Sequence, residues 1–267
     1  MDGIFVLQFF IFSIIGYLIG NILFGLILSK IKKTDLRSAG SGNVGATNAL
    51  RVFGKALGFA VFTWDLFKTW LAIFICSIIY TYWTKPMTSN IIYQQNGFLI
   101  FFSGLFTVIG HCFPIQFIFV LFKTKFNFTE AKKYSGGKGA AASAGFFMSV
   151  SPWIFLIAFS IFMIIFLTWR YVSLAAMISI CVSTFLLLIP QLDYFYMTDI
   201  TNSHILDIPV IGNNNFVNFI TYSNHWRYIV NIFSISLLIS IIVVWKHKVN
   251  IVRLINKQES KIFAKKE

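Results

Sequence analysis

From residue 3 to residue 29 the chain carries no charged side chain. A helix over that stretch would reach about 40 Å, more than the roughly 30 Å hydrocarbon core of a bilayer. Runs of the same kind recur at 56–83, 97–122, 140–169, 171–190 and 228–245, the first of these carrying Asp65 and Lys68. A water-soluble domain has no way to cover so many apolar faces, so the pattern predicts an all-α, polytopic membrane protein. The first run is too long for a signal-peptide core and lacks a basic leader, which predicts a retained span. With 57% hydrophobic and 12% charged residues, disordered, collagen-like and disulfide-stapled classes are excluded. Cys76, Cys112 and Cys181 lie in or beside apolar stretches without metal-ligand spacing and are read as small core hydrophobes.

Charge placement sets the expected topology. The formal net charge is +13, and its bases are clustered: six Lys/Arg in 30–55, five in 123–139 and seven in 246–267. Lys85 and Arg227 are the only bases in the two remaining loops. Such clustering reads as a cytoplasmic face rather than a nucleic-acid surface, and no nucleic-acid partner is expected. Segment 140–169 is long for one upright helix and short for two, but Ser151-Pro152 near its middle is a helix-start signal. Splitting it puts all three basic segments on one side. The expected fold is therefore one domain, 1–267, with seven transmembrane helices, two of them short, the N-terminus out and the C-terminus cytoplasmic. A five-span version with 140–169 re-entrant keeps the same parity.

Three polar clusters fall on that basic side. The first is Gly40 to Asn48, followed by Arg51. Its glycines let the backbone turn and present N–H groups to an anion; Ser41, Asn43, Thr47 and Asn48 add neutral donors, and Arg51 a fork suited to phosphate. The second pairs His111, in Gly110-His-Cys-Phe-Pro114, with Gly136, Gly137, Lys138 and Gly139. Gly-Gly-Lys-Gly resembles a phosphate nest but lacks the spacing of a Walker A loop. The third joins Arg170 and Ser173 to His247, Asn250, Arg253 and Glu259; the tail lysines 257, 261, 265 and 266 read as contacts to lipid headgroups. Within the second span, Asp65 and Lys68 should pair or face the polar site, because lone charges are costly there. No Ser-His-Asp constellation and no acidic cluster suited to Mg²⁺ appears, so no metal or cofactor is expected. The residues alone point to handling of phosphorylated substrates at the cytoplasmic membrane face, by an enzyme or by an anion transporter.

These stretches resemble the bacterial acyl-phosphate:glycerol-3-phosphate acyltransferases, the PlsY family. Gly-Ser-Gly-Asn-Val-Gly-Ala-Thr-Asn-Ala-Leu-Arg (40–51), Gly-His-Cys-Phe-Pro (110–114), Gly-Gly-Lys-Gly (136–139), Arg-Tyr-Val-Ser-Leu-Ala (170–175) and His-Lys-Val-Asn-Ile-Val-Arg-Leu (247–254) with Glu259 occur in the family's order. The resemblance implies a seven-helix bundle in the bacterial cell membrane with its active site facing the cytoplasm. It implies acyl transfer from acyl phosphate to the 1-hydroxyl of sn-glycerol 3-phosphate, yielding lysophosphatidate and phosphate. Ser41, Asn43, Gly45, Thr47 and Asn48 would grip acyl phosphate. Arg51, Lys138, His247 and Asn250 would hold glycerol 3-phosphate, with Ser173 nearby and Gly136, Gly137 and Gly139 forming the nest. Ser41, Lys138 and His247 are the expected catalytic residues, with the acceptor's proton passing to a substrate phosphate; a monomer among membrane lipids is expected. The chain departs from the family pattern in five places. About twenty residues separate Pro114 from Gly136, Ala142 replaces a Thr beside Ser143, Lys257 replaces a Gly, loop 191–227 is long, and a proline is missing at Gly20–Phe24.

Overall fold

In the computed structural model, which describes residues 3–84, 97–189 and 225–262, every assigned element is a helix. We label them α1 (Gly3–Gly20), α2 (Phe24–Ile31), α3 (Ala46–Phe53), α4 (Lys55–Thr84), α5 (Ile100–Cys112), α6 (Ile115–Lys123), α7 (Phe128–Lys132), α8 (Ala140–Val150), α9 (Pro152–Trp169), α10 (Val172–Leu186), α11 (His225–Lys246) and α12 (Lys248–Ile255). Among the described residues four stretches are long and apolar enough to cross a bilayer: Gly3–Ile31, Lys55–Tyr80, Pro152–Trp169 and Ile229–Lys246. Gly97–Cys112 and Ile115–Lys123 make a fifth if their 62° bend counts as one broken span, and Ala140–Val150 and Val172–Leu186 are shorter apolar helices. The polar stretch 85–96, the loop 191–224 and the tail lysines 265 and 266 lie outside the described residues.

Small residues let the helices approach. A Cβ on Gly16 or Gly20 of α1 would lie 2.1 or 2.3 Å from the carbonyl oxygens of Ser103 and Thr107 on α5, so the two backbones touch along a small-xxx-small stripe. Thr107 donates across that seam to the Gly16 carbonyl at 3.1 Å. Helix α4 packs on α8, α9 on α10, and α3 on α4. The shared apolar core includes Phe12, Cys76, Val108, Cys112, Phe146, Ile154 and Ile239, which agrees with the expected role of the buried cysteines.

Two breaks were not expected. Span 3–29 divides after Gly20, and span 97–122 turns at Phe113-Pro114. Pro114 explains the second: it lacks an N–H and forces Phe113 out of the helical region, to φ −131° and ψ 73°. The first needs no proline. Asn21 donates to the Tyr17 carbonyl at 2.6 Å and accepts from Ile115 N–H at 2.5 Å, while Lys68 donates to the Gly20 and Ile22 carbonyls at 3.2 Å each. The carbonyls freed where α1 stops are thus satisfied by side chains. Segment 140–169 divides at Ser151-Pro152 as expected, Ser151 Oγ accepting from Ile154 N–H.

Candidate active site

The loop 32–45 is built around Asn48, which is 1% exposed. Its Oδ1 accepts from Ser41 N–H at 2.7 Å, and its Nδ2 donates to the carbonyls of Leu36 and Ala39 at 3.0 Å each. Gly40 has φ +62°, and a Cβ there would lie 2.2 Å from Asn48 Oδ1, so glycine is required. Asn48 is therefore committed inside the loop. Ser41, Asn43, Gly45 and Thr47 are left facing a cavity of about 560 Å³, a size suited to a small-molecule site.

A second strand of backbone is fixed in the same way. Gly136 N–H donates to the Cys112 carbonyl and Gly137 N–H to the His111 carbonyl, at 3.2 and 3.1 Å. Any Cβ on either glycine would enter His111. The motifs at 110–114 and 136–139 thus lie side by side despite the twenty residues between them. The expected nest is only partly present: the N–H groups of Gly136 and Gly137 are already taken, and Gly137 does not line the cavity. Gly139, at φ +87°, starts α8, and Ser143 donates to its carbonyl, so Ser143 is not free to replace the missing Thr.

The cavity collects the rest. Arg51, Lys138, Ser173, His247 and Asn250 all line it, with Arg37, Lys132, Lys246, Arg253 and Glu259. The N-termini of α3 and α8 also open into it, through Ala46, Thr47, Ala140 and Ala141. Their unpaired N–H groups and positive dipole ends favour an anion. Lys138 Nζ donates to Asn250 Oδ1 at 2.6 Å; Asn250 Nδ2 and Ser173 Oγ both donate to Glu259 Oε1, at 2.7 and 2.8 Å. Arg51 donates to Ser260 Oγ at 2.7 Å, and Ile262 N–H to the Arg170 carbonyl. The segment after α12 therefore forms part of the cavity wall, through Glu259 and Ser260. Lys257 leads into that segment at φ +57°, a conformation that glycine adopts without strain.

Two pKa shifts bear on chemistry. Burial pushes Lys138 down to about 8, opposed by Glu259 and reinforced by Arg253 and Arg51. Burial likewise lowers His247 to about 4. His247 Nδ1 faces the Val243 carbonyl at 2.8 Å; a carbonyl only accepts, so Nδ1 carries the proton and Nε2 is an acceptor. His247 is neutral at pH 7. Because Lys138 is cationic only below about pH 8, kcat/KM is expected to fall above that pH. A steady-state pH profile would check this; the limb should be weaker in kcat, since a bound phosphate favours the charged lysine.

Sequence reasoning passed over Arg37. Its Nε and Nη2 are buried without a hydrogen-bond partner, its guanidinium stacks 5.9 Å from the Tyr134 ring centroid, and it lines the cavity. It reads in sequence as one more base in a basic loop. The same cavity is also lined by an apolar group from α8, α9 and α10: Phe147, Phe155, Phe159, Phe162 and Ile180. At the cavity wall, which Asp65 and His111 help to line, the fully buried Lys68 meets Asp65 at 2.9 Å and His111 Nδ1 at 2.9 Å. The expected pairing of the two intramembrane charges is present, and through His111 it reaches the backbone that carries Lys138.

Comparison with known proteins gives a consistent result. The family model described as glycerol-3-phosphate acyltransferase matches residues 10–257. The chain is 46% identical to the glycerol-3-phosphate acyltransferase of Malacoplasma penetrans over 257 residues, covering 96% of this chain and 94% of that one. It is 31% identical to the glycerol-3-phosphate acyltransferase of Aquifex aeolicus over 246 residues, covering 92% and 95%. Its fold is similar to a crystal structure of PlsY, an integral membrane glycerol 3-phosphate acyltransferase, in its glycerol 3-phosphate form. The TM-score is 0.64 at 28% identity, with 95% of each chain covered. The lysophosphatidic acid form gives 0.63 at 27%, again over 95% of each chain.

Proposed function

The chain belongs to the PlsY family of glycerol-3-phosphate acyltransferases, integral membrane enzymes, and on that premise we propose that its acyl donor is acyl phosphate. The acyl group goes to the 1-hydroxyl of sn-glycerol 3-phosphate, giving 1-acylglycerol 3-phosphate and hydrogen phosphate. One observation carries this reading: basic and hydroxyl side chains and a group of aromatic and aliphatic ones line one cavity. Glycerol 3-phosphate needs only the polar lining. A phosphate joined to a hydrocarbon chain needs both. Seven spans with the cavity facing the cytoplasm complete the proposal, supported by the basic segments 30–55, 123–139 and 246–267.

In this reading Ser41, Asn43, Gly45 and Thr47, with the N-terminus of α3, grip the donor phosphate. Lys138 and Arg51 bridge the two phosphoryl groups, and Ser173, Asn250 and His247 orient the acceptor. Asn48, Gly136 and Gly137 act by holding these groups in place. The hydroxyl oxygen attacks the acyl carbonyl carbon, the bond from that carbon to the phosphate oxygen breaks, and phosphate leaves with the electron pair. His247 Nε2 accepts the hydrogen bond of the acceptor hydroxyl and fixes its direction. With a pKa of about 4 it is a weak base. A phosphate monoester, with a second pKa of about 6, is the stronger one, so the hydroxyl proton ends on phosphate. The enzyme's work is then orientation and charge stabilisation.

Detergent-purified protein given palmitoyl phosphate and glycerol 3-phosphate should release phosphate only when both are present. Release without the acceptor, or acceptor uptake into sealed vesicles without release, would overturn the reading. His247→Ala should raise KM for glycerol 3-phosphate more than it lowers kcat, and His247→Gln, which keeps an acceptor, should recover part of the loss. Arg37→Ala should raise KM for acyl phosphate about tenfold while that for the acceptor stays put, as expected for losing one charged hydrogen bond.

A further inference from the structure

Residues 115–135 leave the bundle and return to where they left. Gly136 N–H is bonded to the Cys112 carbonyl, and a Cβ on Gly136 would sit 3.3 Å from Pro114 Cδ. Between those anchors α6 and α7 form a hairpin with a small core of its own, Phe117 and Leu121 packed with Ala131. Among the described residues, the hairpin's other apolar face is left exposed. Ile115, Phe119 and Phe122 recur at the spacing of one helical stripe, and Phe119 and Phe122 are 66% and 63% exposed. Phe126 and Phe128 continue the exposed aromatic surface through the turn. Lys123 and Lys125, both exposed, border it. The hairpin's one acid, Glu130, is already paired with Lys133 at 2.8 Å, so the free charge is positive.

We propose that this hairpin is an interfacial element that lies in the lipid headgroup layer, its Phe119–Phe122 stripe at the acyl boundary and Lys123 and Lys125 on anionic headgroups. Three observations converge on a bilayer surface as the occupant. The 62° turn at Phe113-Pro114 takes α6 out of the line of α5. The stripe is aromatic and apolar, and the charges beside it complement anionic lipid. The same hairpin supplies Lys132, Lys133 and Ser135 to the cavity lining, so its docking would hold that wall of the cavity at headgroup level.

The test places a nitroxide at Phe119→Cys or Phe122→Cys in full-length protein. Cys181→Ser removes the partly accessible native thiol, Cys76 and Cys112 being buried. Depth is read from relaxation by oxygen against a nickel chelate, in nanodiscs of phosphatidylcholine with and without phosphatidylglycerol. Both labels should report the headgroup–acyl boundary and shift deeper when phosphatidylglycerol is present. Lys123→Gln with Lys125→Gln should abolish that shift while leaving turnover at saturating substrate unchanged. Labels as open to nickel as an aqueous loop would overturn the proposal. So would a depth at the bilayer centre, which would make α6 part of a broken span, or lipid-independent spin–spin coupling, which would put a second copy on the stripe.

Discussion

Replacing Lys138 by alanine is expected to lower turnover by about 10²–10³-fold, the usual cost of removing a donor aimed at developing charge. Lys138 lies two residues before the start of α8, its Nζ on Asn250 and its backbone held against His111 and Cys112 through Gly137 and Gly136. It is a point charge fixed from both sides. Phosphate release from palmitoyl phosphate measures the loss, and an unchanged melting midpoint would show that the fold survives. Lys138→Arg should not restore full activity, because a longer planar fork cannot occupy the place of an ammonium donating to Asn250 Oδ1. Turnover within twofold of the unaltered protein for Lys138→Ala would remove the lysine from the proposed mechanism.

The second large effect is on stability. Lys68→Met should destabilise by about 3–5 kcal/mol, since it leaves the Asp65 carboxylate buried without its cation and strips a donor from the Gly20 and Ile22 carbonyls. In detergent this would appear as a melting midpoint lower by roughly 10 °C. Adding Asp65→Asn should recover a good part of it, because the double variant leaves no unpaired charge. Equal losses in the single and double variants would mean that capping of the α1 end, rather than the ion pair, is what Lys68 provides.

The long apolar helices were legible because hydrophobicity over twenty residues is a strong signal, and Ser151-Pro152 was legible because a cap and a proline sit together. The turn at Pro114 was not, although the proline is in plain view. Apolar residues continue from Ile115 to Phe122, and hydropathy carries no direction. The division after Gly20 was hidden for another reason: its carbonyls are satisfied by Asn21 and by Lys68, a residue 48 positions away. In the site, small polar residues stood out against an apolar chain, so the clusters around Ser41, Lys138 and His247 could be found and do line one cavity. Which of their atoms are free could not be read. Asn48 and Gly137 spend their hydrogen bonds on backbone atoms of Leu36, Ala39, Ser41 and His111, and backbone atoms leave no mark in residue type.

The hydrogen bond from Arg51 to Ser260 joins residues 209 positions apart. That bond can form only once the C-terminal segment has come to the N-terminal loop, so a copy whose ends have not met cannot complete its pocket. Half-built molecules of this enzyme should therefore be inert rather than sloppy.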